Sequence, residues 1–331
     1  MAHRVKEWIW RGFLLAAAVV AFHFIPTGYF LVTPGVVREV KDLVTVEGGR
    51  KDARGNLLLV TVGTREANLW LFLYGALDPA TGLVRRGELL PPGREFGEYV
   101  EENRRFMELS QAVARVVALQ RLGYPASLGG EGAEVVEVIP GSPARGKLKE
   151  GDVIVAAGGR PVRLAEDLLD ALEGYRGGDE VDLILLRGGK RLEVTVPVVE
   201  SAGDLFAVKV RTRGWSVKSP LHVGIEAGEI SGPSAGLMFA LEIIDQLEPE
   251  DLTGGRKIAG TGTLDARGRV GGIGGIRQKT LTAMRAGAEV FFVPRGNEEE
   301  ARKVARGMEV IPVSTLDEAL EYLRRLSGAR R

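Results

Sequence analysis

The sequence predicts a multidomain chain of mixed α+β and α/β class, and three observations lead there. From Gly12 to Val37 the chain holds no Lys, Arg, Asp or Glu. The middle third alternates short apolar strands with turn-forming Gly and Pro. From Leu205 onward, strand-like and helix-like segments alternate, the pattern of an α/β layer.

Composition narrows the function classes. At 331 residues the chain has room for two or three domains, and 45% hydrophobic with 27% charged residues is a globular balance. Lys plus Arg and Asp plus Glu both total 44, so no basic excess points to nucleic acid. The chain has no cysteine, which removes disulfides and thiol catalysis. No metal, cofactor or nucleotide is expected.

Residues 1–11 carry Arg4, Lys6 and Arg11, which favour a cytoplasmic N-terminus. Residues 12–32 then read as a transmembrane helix, because a bilayer needs about 20 apolar residues. Trp8, Trp10 and Tyr29 are placed like interfacial aromatics. A cleaved signal peptide ending near Val19-Val-Ala21 and a buried soluble helix are the competing readings. On the anchor reading the chain crosses the cell membrane once, and everything after residue 32 is extracytoplasmic.

Residues 33–120 suggest strands at Asp42–Glu47 and Asn56–Val62, with Gly48–Gly55 as a hairpin loop between them. Pro91-Pro92-Gly93 breaks the chain before a helix from about Glu95 to Leu122, stopped by Gly123. No chemistry is assigned to this region.

Residues 121–200 form a β-rich unit: a strand from Ala133 to Pro140, then Gly141-Ser-Pro-Ala144, then Leu148-Lys-Glu-Gly151-Asp152-Val-Ile-Val. A helix near Ala165–Leu172 and strands at Glu180–Leu186 and Lys190–Val198 complete it. This order resembles a PDZ domain of the bacterial type. The resemblance implies capture of an extended peptide C-terminus by strand addition, with backbone N–H groups holding the carboxylate. Leu122-Gly123-Tyr124 is either that carboxylate loop or the cap of the preceding helix. Gly141-x4-Gly146-Lys147 nearly matches a phosphate-binding loop, but Leu148 stands where Ser or Thr must hold magnesium.

In residues 201–331, Glu229-Ile-Ser-Gly-Pro-Ser-Ala-Gly-Leu-Met runs into a helix with an apolar stripe at Leu237, Ala240, Leu241, Ile244 and Leu247. Ser234 thus sits at a helix start, where free N–H groups of Gly232 and Ala235 can hold an oxyanion. A nucleophile and a plain helix cap are both consistent with that place. Gly232-Pro233-Ser234-Ala235-Gly236 matches a nucleophile elbow, yet His3, His23 and His222 all precede the serine, so the Ser…Asp…His order is impossible. The remaining neutralisable base is a lysine. Lys303 follows Glu298, Glu299 and Glu300 and reads as a solvated, paired cation. Lys257 lies where a loop meets a strand. Lys279 has no acidic neighbour on its helical face, and is the candidate base by elimination.

These residues, with Ile-Ala-Gly-Thr261-Gly-Thr-Leu-Asp-Ala-Arg-Gly before Lys279 and Arg285-Ala-Gly-Ala and Val290-Phe-Phe-Val-Pro294 after it, resemble the proteolytic domain of Lon proteases. The resemblance implies that Ser234 is the nucleophile and Lys279 its general base. It implies that Thr261 orients the lysine and that His222 belongs to the site. The family's Asp three residues before the serine is Ser231 here, so any acidic role falls to Glu229. The order anchor, PDZ unit, Lon-type domain resembles bacterial membrane-anchored PDZ–Lon serine proteases. What this implies is an ATP-independent endopeptidase acting on peptide or protein substrates, without nucleotide or nucleic acid, and assembly into a homo-oligomer. The alternative is a membrane-tethered PDZ scaffold with an inactive Lon-like domain.

Overall fold

The computed structural model describes residues 8, 10, 13, 22–51, 54–90, 93–198 and 208–328. They form two compact units, one of residues up to Ala118 together with Leu221 onward, the other Leu119–Pro220.

The first unit begins with β1 (Pro26–Glu39), α1 (Val40–Leu43), β2 (Val44–Val46) and β3 (Asn56–Asn68). It continues with α2 (Leu69–Leu77), β4 (Gly82–Arg85), α3 (Arg86–Leu89) and α4 (Phe96–Arg121). The second unit holds β5 (Ser127–Gly130), β6 (Ala133–Val138), β7 (Val153–Ala157), β8 (Arg160–Pro161), α5 (Ala165–Ala171), β9 (Glu180–Arg187), β10 (Lys190–Pro197), β11 (Val208–Thr212) and β12 (Trp215–Lys218). The chain then returns to the first unit with β13 (Val223–Ile225), a 3-10 turn at Pro233–Ala235, and α6 (Gly236–Leu247). Next come β14 (Lys257–Gly260), β15 (Thr263–Leu264), β16 (Val270–Gly271), α7 (Ile276–Arg285), β17 (Val290–Pro294), α8 (Glu298–Val304), β18 (Glu309–Val313) and α9 (Leu316–Gly328).

One sheet of order β18-β17-β14-β3-β1-β4 carries the first unit. Strands β18, β17, β14 and β3 run parallel, whereas β1 and β4 are antiparallel to their neighbours. Leu58 and Val60 of β3 share a core with Ala259, Phe291, Val293, Ile276, Ala283 and Val310. Residues 33–120 are therefore not a separate region, because their two longest strands complete the sheet of residues 221–331. Gly48–Gly55 is not a hairpin loop either: β2 pairs with β13 and β3 with β1. The apolar residues Phe30, Leu31 and Val32, counted above into a membrane helix, belong to strand β1 and are buried in this sheet. Most of residues 12–21 lie outside the described residues. Among the described residues no helix is long and apolar enough to cross a membrane.

The second unit is a six-stranded antiparallel assembly of order β10-β9-β7-β6-β11, with β8 beside β7. Ile154, Leu168, Leu172, Leu183, Leu185 and Val196 fill its core. Residues 208–218 pair within this unit: β11 pairs with β6 and β12 with β5. Arg187 clamps the buried Asp152 through two bonds of 2.7 Å.

Candidate active site

The nucleophile loop owes its shape to Gly232, whose φ of 92° is open to glycine and strained for other residues. Pro233 follows at the first position of the 3-10 turn, where a missing N–H is no loss. Helix α6 then buries every residue from Gly236 to Gln246. The larger side chains Leu237, Met238, Phe239, Leu241, Ile243 and Ile244 are fully inaccessible, each contributing on the order of 2 kcal/mol. This anchors Ser234 at the rim of a rigid element.

Helix α7 brings the lysine. Its N-cap, Gly275, has φ 67°, and a Cβ there would lie 3.0 Å from Val62 Cγ1, so the left-handed backbone and the tight approach of α7 to β3 both favour glycine. Lys279 sits one turn in, 4% exposed. Its Nζ donates to Ser234 Oγ at 2.6 Å and to Thr261 Oγ1 at 3.0 Å. Thr261, just past β14 and fully buried, donates in turn to the Ser234 carbonyl at 3.2 Å. Gly262 N–H donates to that same carbonyl at 2.9 Å. No carboxylate compensates the ammonium, and burial pushes the Lys279 pKa down to about 8. An amine whose neutral form is reached near pH 8, at hydrogen-bond distance from a hydroxyl, can accept its proton in that form. The other lysines behave as read from sequence: Lys303 pairs with Glu299 at 2.7 Å in solvent, and Lys257 is exposed.

The serine and lysine open into a cleft of about 700 Å³. Leu43, Leu59, Val60, Met107 and Ile230 give it an apolar lining, with Arg38, Asp42, Glu226 and Glu229 as charged residues. Glu229 is thus at the cleft as expected. His222 is not: it is exposed, and its backbone N–H is held by the Glu47 carboxylate at 3.0 Å beside the β2–β13 pair. In the loop expected to hold an oxyanion, Gly232 has committed its N–H to the Asn103 carbonyl at 2.9 Å. Pro233 has no N–H, and the Ala235 N–H lies inside the 3-10 turn.

The sequence reading missed half of this site. Asn103 and Ser110 of α4 brace the nucleophile loop, the latter by donating to the Pro233 carbonyl at 3.1 Å. Gly35, Val36 and Thr61 to Gly63 form part of the cleft wall. One signal was present: Gly35 interrupts an apolar run, and a Cβ there would collide with the Thr61 backbone at 2.6 Å.

The expected carboxylate loop is a helix cap. Tyr124 N–H donates to Leu119 O and Gly123 N–H to Gln120 O, the two bonds of a Schellman motif, with Gly123 at φ 85°. Leu122 N–H also returns to Leu119 O. All three amides are spent on α4, so none is left for a peptide carboxylate. The sheet of this unit has two edge strands among the described residues, β10 beside β9 and β11 beside β6.

Comparison with known proteins divides the chain near residue 198. Residues 198–325 match the Lon protease (S16) C-terminal proteolytic domain, and residues 105–198 match the PDZ domain. The Lon protease of Azospirillum brasilense is 35% identical over 146 residues, covering 40% of this chain and 18% of that protein. The Lon protease of Trichlorobacter lovleyi is 32% identical over 136 residues, covering 39% and 16%. The chain thus spans less than a fifth of the length of these relatives. Among solved structures, the PDZ domain of an SdrC-like protein from Listeria innocua matches 25% of this chain and 96% of its own, at 21% identity and a TM-score of 0.23. The chain carries a Lon-type serine peptidase domain together with a PDZ domain.

Proposed function

We propose that the chain is an ATP-independent serine endopeptidase, anchored in the cell membrane with its catalytic domain extracytoplasmic, that cleaves peptide bonds with a Ser234–Lys279 dyad. The observation that carries this is the 2.6 Å approach of a buried lysine amine to a serine hydroxyl at the wall of a cleft. Neutral Lys279 takes the Ser234 proton as Oγ attacks the scissile carbonyl, then delivers it to the leaving amine. The oxyanion falls to the N–H group of Ser234, since Gly232 and Pro233 offer none and Ala235 lies inside the 3-10 turn. Water then hydrolyses the acyl-enzyme, with Lys279 again as base. Peptide substrates are recruited by strand addition at the outer edge of β11, along which no strand of the described residues pairs.

Cleavage of fluorescently labelled casein by the full chain tests the reading. Ser234→Ala and Lys279→Ala should each lower kcat/KM by about 1,000-fold or more. Equal activity in all three proteins removes the dyad, and no cleavage of any peptide by the unaltered chain leaves a PDZ scaffold.

A further inference from the structure

Helix α2 is apolar on both of its sides. The inner side packs on the sheet: the Phe72 and Tyr29 ring centroids lie 5.0 Å apart, and a Cβ on Gly75 would meet Leu31 Cδ1 at 2.6 Å. The outer side carries Trp70, Leu73, Tyr74 and Leu77, spaced i, i+3, i+4 and i+7, so they form one stripe. All four are exposed, Leu77 by 83%. Phe24, exposed by 76%, and Ile25 extend the patch, and the Phe22 ring contacts Trp70 at a centroid distance of 5.3 Å. A helix without a charged residue that turns apolar stripes in both directions has one side matched to something other than water.

Two observations identify what covers it. Residues 22–25 lie within the charge-free stretch Gly12–Val37, directly after its densely apolar first part, so that part leads into the patch. The patch is also flanked by cations. Arg65 and Arg285 lie within electrostatic reach of Tyr74, and Arg277 donates to the Pro79 carbonyl just beyond the helix. The nearby carboxylates are engaged, Asp78 by the Tyr74 hydroxyl at 2.6 Å and Glu66 by Arg86 at 2.6 Å. Pairing with a second copy would bring these arginines together about the two-fold axis, whereas anionic lipid phosphates would neutralise them.

We propose that the outer face of α2 lies in the headgroup layer of an anionic bilayer. Leu73, Leu77, Phe24 and Ile25 enter the acyl boundary, Trp70 and Tyr74 sit at the interface, and Arg65, Arg277 and Arg285 meet phosphate. The proposal rests on the anchored reading of residues 12–32, and the test separates the two. The full chain with Trp8, Trp10 and Trp215 changed to Phe retains Trp70 as its one tryptophan. It is reconstituted into phosphatidylethanolamine–phosphatidylglycerol vesicles doped with phosphatidylcholine brominated at positions 6,7 or 11,12. The expected result is blue-shifted Trp70 emission quenched about twofold, more by the shallower bromines, and relieved by Leu77→Asp. Protein that floats with the vesicles after a carbonate wash while Trp70 stays unquenched overturns the docking and leaves the anchor. Protein that neither floats nor is quenched overturns both. A blue-shifted but unquenched Trp70 that cross-links to its counterpart overturns lipid in favour of a second copy.

Discussion

Lys279 is buried without a carboxylate to compensate its charge, and that has consequences for pH. Its pKa falls from an ordinary 10.5 to about 8 because burial strips water from the ammonium. The active form has lost the proton, so kcat/KM should climb with unit slope and level off above about pH 8, read in a pH–rate profile. In the unfolded chain the lysine binds its proton up to about 10.5, so between these two values the unfolded state holds more protons than the native state. Lysine burial therefore opposes folding below pH 8, by about 3 kcal/mol, and the penalty fades as pH rises to 10.5. Lys279→Met should abolish cleavage yet stabilise the fold at neutral pH, with the gain shrinking in alkaline buffer, measured by urea denaturation. Thr261→Val removes a group that accepts from the ammonium at 3.0 Å. It should move the pH midpoint downward while lowering kcat about tenfold, because the freed amine is no longer aimed. Ser234, Lys279 and Thr261 were legible in the sequence because each sits in a short motif whose local structure places it. His222 was not, because its position depends on an exposed carboxylate 175 residues away and on the β2–β13 pairing.

At the scale of elements, α4 does two things that composition hides. Its C-terminus consumes the amides of Leu122, Gly123 and Tyr124, so the sequence motif that suggested a ligand loop is a terminator. Gly123→Ala, at φ 85°, should lower stability by about 1 kcal/mol and leave peptide affinity unchanged in a titration with labelled peptide. Its middle holds the nucleophile turn through Asn103 O and Ser110 Oγ. Ser110→Ala should therefore lower kcat several-fold with little change in KM or melting temperature, whereas a purely structural serine would show its loss in melting first. The apolar stripe of α6 and the strand–helix alternation that runs from β14 to α9 were readable from periodicity. The division of the expected serine helix into a 3-10 turn and α6 was not, because it follows from Gly232 and Pro233 meeting α4.

For the whole molecule, the sheet is what the sequence concealed. Parallel pairing of Asn56–Leu59 with Lys257–Gly260 joins segments about 200 residues apart, and nothing local in either announces the other. A fragment of residues 201–331 covers nearly all of the Lon-type match, yet it lacks β1, β3 and most of the cleft wall. That fragment should show no cooperative unfolding transition by circular dichroism and no proteolysis; a sharp transition with intact activity would refute the two-part sheet.

This long-range pairing also sets a timetable at the ribosome. At roughly 5–20 residues per second, the edge of β3 waits on the order of ten seconds or more for β14 to be synthesised. The intervening unit, with a sheet and core of its own, can close meanwhile. During that delay Leu57 to Val60 form an open, sticky ribbon. The newborn chain is then most exposed to aggregation, and most in need of a holding chaperone, when its later half is being made.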